Sequence, residues 1–245
     1  KPFIKWAGGK TELLPVLEQQ LPKEIRKNKE IDTYIEPFVG GANIITNIKH
    51  PKRWGFDNSR PLIQLLNHVT LQGELPHSIS REQYNDVRAY PENYDDWYVG
   101  AVGYLASYNG KYFGGYAGTV HTKAGTVRDY YDEAKRNLEA QAKKLQAAPP
   151  YWGIADYADI SNFFPLEDSV IYADPPYEGT TGYGNSFNSS EFWETCRKWA
   201  TAGNTVIVSE TKAPDDFTCI WEKPVTRTLN HNGRNTTTEK LFIRG

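Results

Sequence analysis

The 245-residue sequence has no methionine, only two cysteines, and no apolar run near the length of a membrane span. A membrane-crossing helix needs about 20 consecutive apolar residues, so no transmembrane segment and no membrane partner are expected. The opening residues also lack the apolar stretch of a secretory signal. The missing initiator methionine is expected to reflect processing or trimming. Cys196 and Cys219 are too few for a disulfide framework, so a reducing, cytoplasmic setting is expected. Five histidines stand as singletons without ligand spacing, and no metal is assigned. Nor is one sign of charge dominant. At a net charge of -2, binding to nucleic acid would need basic residues concentrated on one face.

What is present is an ordinary hydrophobic fraction, 39%, with 24% charged residues, enough for one large domain or a core with an insertion. Residues 11–21 have a Thr cap and leucines at helical spacing. Residues 32–38 read as a short strand ending at Pro37, then a Val-Gly-Gly turn and a helix over residues 42–48. Residues 53–57 form a second strand, and Asn58-Ser-Arg-Pro61 turns into a helix over 62–71. This β-α-β-α order is the start of a parallel sheet covered by helices. From residue 75 the texture changes, with helices expected over 80–89, 95–107 and 129–147. Between the last two lies a stretch rich in glycine and tyrosine, residues 108–126, fit for a hairpin or an ordered loop. Strands resume at 151–155, 169–173, 205–210, 225–229 and 240–243, with a helix near 190–201. The expected boundaries are a core of residues 1–74 and 150–245 and an insertion of residues 75–149.

Three glycine- or proline-bearing segments carry chemistry. Gly8-Gly9-Lys10-Thr11 suggests a P-loop, but the required first glycine would fall at position 4, which is Ile4, and only five residues precede Trp6. That reading fails. Glu36-Pro-Phe-Val-Gly-Gly-Ala-Asn43 is a glycine turn between strand and helix, followed by Asp57 at the end of the next strand. Glycines let backbone approach a ligand, and an acid on the second strand suits ribose hydroxyls. The signature G-x-G-x-x-G is absent, which argues against NAD. A purely structural strand-turn-helix also explains the pattern. Finally, Val170-Ile-Tyr-Ala is an apolar run suited to a central strand, and it delivers Asp174-Pro175-Pro176-Tyr177 at its carboxyl end. Two prolines remove two donors and leave their carbonyl acceptors beside an aromatic ring. An amino group on a planar base fits that arrangement, although an ordinary strand-ending turn is the plain alternative.

Together, these segments resemble the DNA adenine-N6 methyltransferases of the Dam type. Lys5-Trp6-Ala-Gly-Gly-Lys10 is similar to the family's N-terminal cofactor motif. Glu36-Pro-Phe-Val-Gly-Gly and Asp57-Asn58 match the next two, and Asp174-Pro-Pro-Tyr177 matches the catalytic one. The resemblance covers residues 1–57 and about 152 onward and is weak in the insertion. It implies a Rossmann-like α/β methyltransferase core with a mainly helical insertion, S-adenosylmethionine as cofactor, and double-stranded DNA as partner. It also implies a bacterial or phage source. Asp174, Pro175, Pro176 and Tyr177 would form the catalytic set. Trp6, Lys10, Phe38, Gly40, Asp57, Asp156, Tyr157 and Asp174 would line the cofactor, though a solvent-facing Asp156 fits the loose match there equally well.

The same acceptor chemistry serves a cytosine-N4 methyltransferase, and a non-catalytic DNA-binding protein could keep the fold. The recognition sequence and any restriction partner stay open. For DNA contact the insertion offers Lys111, Lys123 and Arg128 beside tyrosines and glycines. A surface loop packed on the helices is the alternative. The basic stretch 223–245 comes next.

Overall fold

In the computed structural model, which describes residues 14–15, 33–121, 125–163, 167–176, 187–230 and 233–245, the first expected strand is β1 (Tyr34–Glu36), buried along its length. The expected helix over residues 11–21 lies, apart from Leu14 and Pro15, outside the described residues. Leu14 with Val39–Ala155 makes one compact unit. Pro15, residues 33–38 and Asp156–Gly245 make another.

The first unit is built on β2 (Arg53–Asp57), whose central Gly55 and Phe56 are buried. Helix α1 (Arg60–Thr70) follows directly, with Pro61 in its first turn, where the missing N–H has no intrahelical partner to lose. Leu62, Ile63, Leu65, Leu66 and Val69 recur at helical spacing and are all buried. After the intervening helices the chain returns as β5 (Tyr151–Ile154), parallel to β2, with Asp57 opposite Ile154. Trp152 is buried and donates its indole N–H to Thr70 Oγ1 at 3.1 Å, tying β5 to α1. Buried Arg53 donates to the carbonyls of Ile45, Ile48 and Ala148, which lie outside helices and strands.

Helix α2 (Arg81–Ala89) starts in a capping box: Ser80 Oγ accepts the Gln83 N–H and the Gln83 side chain accepts the Ser80 N–H. The long helix expected over 95–107 is instead α3 (Asp96–Gly100), running straight into a wholly buried π-helical turn, Ala101–Leu105. The glycine-tyrosine stretch is both of the forms expected, an ordered loop and a hairpin. A 3₁₀ turn at Tyr108–Gly110 leads to the short pair β3 (Thr119–His121) and β4 (Val127–Asp129). Helix α4 (Tyr130–Leu145) closes the segment, capped by Asp129 Oδ1 on the Asp132 N–H.

The second unit carries the strand order β1, β6 (Val170–Ala173), β7 (Thr205–Glu210), then β9 (Gly233–Arg244) and β8 (Thr218–Asn230). The first three are parallel; β9 runs antiparallel to β7, and β8 antiparallel to β9. β6 is buried throughout, as a strand flanked on both sides must be. Helix α5 (Ser189–Thr201) buries Phe192, Trp193, Cys196 and Trp199. Buried Asn204 then fixes the entry to β7. Its Oδ1 accepts the Ser169 N–H at 3.0 Å and its Nδ2 donates to the Trp199 carbonyl at 2.8 Å.

The helix expected over 42–48 is a run of turns. Ala42 sits at φ 53°, outside the right-handed region, so no regular helix can start there. The bonds that follow alternate in span: Thr46 N–H to Ala42 O, then Asn47 N–H to Ile44 O.

Gly100 marks a close approach of α3 to α1. A Cβ there would lie 2.2 Å from the Pro61 carbonyl oxygen and 3.0 Å from Leu65 Cβ. Gly100→Ala is therefore expected to destabilise the protein by about 1–3 kcal/mol, as overpacking does. Urea unfolding should show a lower midpoint at unchanged slope; an unchanged midpoint would mean the two helices can separate freely.

Candidate active site

The glycine turn is anchored at two points. The Val39 N–H donates to the Phe56 carbonyl at 2.8 Å, continuing the end of β2. Gly40 then takes φ 45°, a conformation that costs glycine little. Its N–H donates to Asp57 Oδ2 at 3.1 Å, while the Ser59 N–H donates to Asp57 Oδ1 at 2.9 Å. One half-buried carboxylate thus holds both the glycine turn and the entry to α1. Burial pushes the Asp57 pKa up, and the Ser59 and Gly40 donors pull it down by less. Each oxygen keeps acceptor capacity beyond its one backbone N–H. A ligand hydroxyl donating there would favour the ionised form that burial disfavours.

In the second unit, Glu36 ends β1 and is buried, accepting the Tyr34 hydroxyl at 2.9 Å. Burial first, and Glu36 second, drive the Tyr34 pKa well up, so this phenol is a neutral donor. Phe38 follows and packs in an aromatic group, its ring centroid 5.2 Å from Tyr157, 5.8 Å from Phe192 and 6.2 Å from Phe187. Burial pushes Tyr157 up to about 12, with Glu191 adding to the rise. Asp156 is exposed; its Oδ1 accepts the Ala158 N–H at 3.1 Å, capping the 3₁₀ turn Tyr157–Asn162.

Asp174 leaves the carboxyl end of β6 half-buried, followed by buried Pro175 and half-buried Pro176. Cys196 is buried, which pushes its thiol pKa well up and leaves it unreactive. Trp6, Lys10, Lys123 and Tyr177 lie outside the described residues.

Of the residues considered for DNA contact, Lys111 is exposed, in a turn closed by the Gly114 N–H on the Lys111 carbonyl. Arg128 is committed differently. Its Nε and Nη2 donate to the two oxygens of Glu133 at 2.7 and 3.0 Å, and its guanidinium lies 4.6 Å over the Tyr130 ring. The Glu133 pairing raises its pKa. A phosphate at Arg128 would have to share or displace that carboxylate.

Residues 6–223 match the family model of the D12 class N6 adenine-specific DNA methyltransferases. The chain belongs to that family. It is 30% identical to the DNA adenine methylase of Salmonella typhi over 200 residues, 76% of this chain and 68% of that protein. It is 28% identical to the DNA adenine methylase of Escherichia coli K12 over the same shares. A shorter match, 56% over 45 residues, joins it to the type II methyltransferase M.MjaIII of Methanocaldococcus jannaschii, covering 18% of this chain and 15% of that one. Membership carries the coarse chemistry with it: a methyl donor, and DNA as the substrate. The α/β methyltransferase core with its mainly helical insertion is the fold the sequence led us to expect.

Ser59, Phe187 and Phe192 were not singled out from the sequence as parts of any site. Ser59 stands at a helix cap and the aromatics stand at ordinary apolar positions, so composition gives no sign of their partners.

Asp57→Ala should leave the Gly40 and Ser59 amides without their charged acceptor. A hydrogen bond to a charged group contributes about 1.5–3 kcal/mol, so both amides should exchange roughly ten- to a hundredfold faster. Hydrogen exchange at those two sites reads this directly. Unchanged protection would show that the carboxylate does not hold the turn.

Proposed function

We propose that this chain transfers a methyl group from S-adenosylmethionine to the N6 amino group of an adenine flipped out of duplex DNA. The observation that carries the reading is Asp174-Pro175-Pro176 at the carboxyl end of β6, a buried strand with parallel β1 and β7 on either side. Ligands of open α/β sheets bind beyond the carboxyl ends of such strands. When bound, S-adenosylmethionine supplies an electrophilic methyl group on a positively charged sulfur.

The residues present suit that cofactor. The Gly40 turn allows close backbone approach, and Asp57 retains acceptor capacity for ribose hydroxyls. Phe38 and Tyr157 offer a flat apolar wall for a purine, in which burial keeps the tyrosine neutral. Trp6 and Lys10 complete the set by resemblance. Asp156, exposed and occupied as a cap, contributes through the geometry of the 3₁₀ turn that begins with Tyr157.

Adenine N6 is a poor nucleophile because its lone pair is delocalised into the ring. Asp174 and the Pro175 carbonyl accept its two N–H bonds and so favour a pyramidal nitrogen. The Asp174 carboxylate also stabilises the positive charge that develops on nitrogen during attack. Tyr177 stacks on the extruded base, offsetting an unstacking cost of a few kcal/mol. No covalent enzyme intermediate is required, consistent with a buried, high-pKa Cys196. Lys111 and Lys123 contact DNA, with Arg128 contributing where phosphate outcompetes Glu133. The two free thiols support a reducing cytoplasm, bacterial or phage-infected.

Asp174→Ala should lower turnover by at least about a hundredfold while the protein stays folded, because the lost interaction belongs to the transition state. Incubation with labelled cofactor and duplex DNA, then hydrolysis and identification of the methylated base, tests the activity. N4-methylcytosine would instead establish the cytosine reading, and near-normal turnover in folded Asp174→Ala would remove the mechanism.

Lys111→Ala separates two modes of DNA contact on a randomised duplex library. A base contact should cost about 1–3 kcal/mol at one position, whereas a phosphate contact should weaken all sequences and lower the salt slope by about one. No change in rate, preference or salt dependence would move recognition elsewhere.

A further inference from the structure

Ser59 occupies the N-cap of α1, where a serine hydroxyl ordinarily accepts a backbone N–H from the first turn. Here it makes no capping bond. Its Oγ lies instead 2.9 Å from the hydroxyl of Tyr104, while its own N–H donates to Asp57 Oδ1. Tyr104 is buried, within the π-helical turn Ala101–Leu105. Such turns carry one extra residue and commonly re-aim a side chain at a functional site. The Gly100 approach to Pro61 described above brings this turn close enough to α1 for the hydroxyls to meet.

The other side of the Tyr104 ring faces the loop that follows. The Tyr112 ring lies 4.8 Å from it, centroid to centroid. The Phe113 N–H donates to the Gly103 carbonyl at 3.0 Å, and a Cβ on Gly103 would lie 2.5 Å from the Tyr112 ring. Loop and π turn are therefore packed without slack, yet Tyr112 itself is 41% exposed. A contiguous path runs from an exposed aromatic beside Lys111, through Tyr104 and Ser59, to the carboxylate that holds the glycine turn.

We propose that Tyr104 is a positioning residue that couples the DNA-facing loop to the cofactor site. Through Ser59 it orients the Asp57 carboxylate, and through Tyr112 it senses whether the loop is engaged. The inference rests on the reading of Asp57 as a cofactor residue and of the loop as a DNA contact. Coupling of this kind is reciprocal: if duplex DNA changes affinity for S-adenosylmethionine, the cofactor changes affinity for DNA by the same factor.

The test uses Tyr104→Phe, which keeps the buried ring and removes only the hydroxyl, with Ser59→Ala and the double variant. Calorimetry gives the S-adenosylmethionine Kd of each, with and without a duplex that wild type methylates. Tyr104→Phe should weaken cofactor binding by about 3- to 10-fold, the scale of one hydrogen bond, while a single cooperative melting transition shows that the variant stays folded. Adding Ser59→Ala should weaken it little further, since both act through one contact. The ratio of Kd values without and with DNA should differ from one in wild type and move toward one in Tyr104→Phe. Wild-type affinity in Tyr104→Phe, full additivity in the double variant, or a DNA ratio equal to that of wild type would each overturn the proposal. Failure of the wild type itself to bind S-adenosylmethionine would instead strike the functional reading on which it rests.

Discussion

Two backbone N–H groups, seventeen and two residues away in sequence, converge on the Asp57 carboxylate. Without an acceptor at that point the Gly40 turn and the start of α1 lose the contact that joins them. The arrangement is demanding because burial disfavours the charge that makes the acceptor strong. Among the described residues the donors come from main chain, which neither titrates nor swings away. Positive φ at Gly40 and again at Ala42 is the geometric consequence. The chain must bend sharply enough to aim an amide back at the end of the neighbouring strand.

The insertion adds tyrosine hydroxyls to its apolar core of Ile79, Val87, Val102, Leu105 and Leu138. Tyr84 is fully buried; its hydroxyl lies 2.9 Å from Ser107 Oγ and accepts the Gly115 N–H at 3.1 Å. Tyr116 donates to the Ile79 carbonyl at 2.7 Å, and Tyr131 donates to that of Pro76 at 2.8 Å. Each phenol buries a ring and spends its polar tip on backbone that no helix or strand satisfies. This explains how a stretch so rich in glycine can be ordered. Asn109 and Phe113 take positive φ within it, held by neighbours on both sides. Tyr108 and Tyr112 are the rings left outward.

β6 and β7 were legible from sequence because apolar runs of four to six residues admit few other fates. β8 and β9, expected over 225–229 and 240–243, are far longer, Thr218–Asn230 and Gly233–Arg244, because antiparallel pairing carries them through polar residues that no apolar run marks. β7 begins and ends where the pattern does, and β6 within one residue of it. The segment after Gly41 was misread because Ala42 is a good helix former; only the backbone geometry reveals that its φ is positive. Likewise, periodicity over residues 95–107 cannot separate an α-helix from one that widens into a π turn at Ala101. Among candidate site residues, those within short motifs (Gly40, Asp57, Asp174) could be found by spacing. Ser59 and Tyr104 are forty-five residues apart and acquire meaning only through a contact made by the fold.

Pro175 and Pro176 have a consequence for what this strand end can reject. With no N–H on either residue, and a carboxylate side chain before them, the described part of this edge presents acceptors from Asp174 to Pro176. If this edge receives the flipped base as proposed, one bearing a keto oxygen in place of an amino group would meet it lone pair against lone pair. Discrimination of that kind comes from a subtraction in the backbone rather than from an added side chain. It would survive substitutions around the site that leave Asp174 and the two pyrrolidine rings in place.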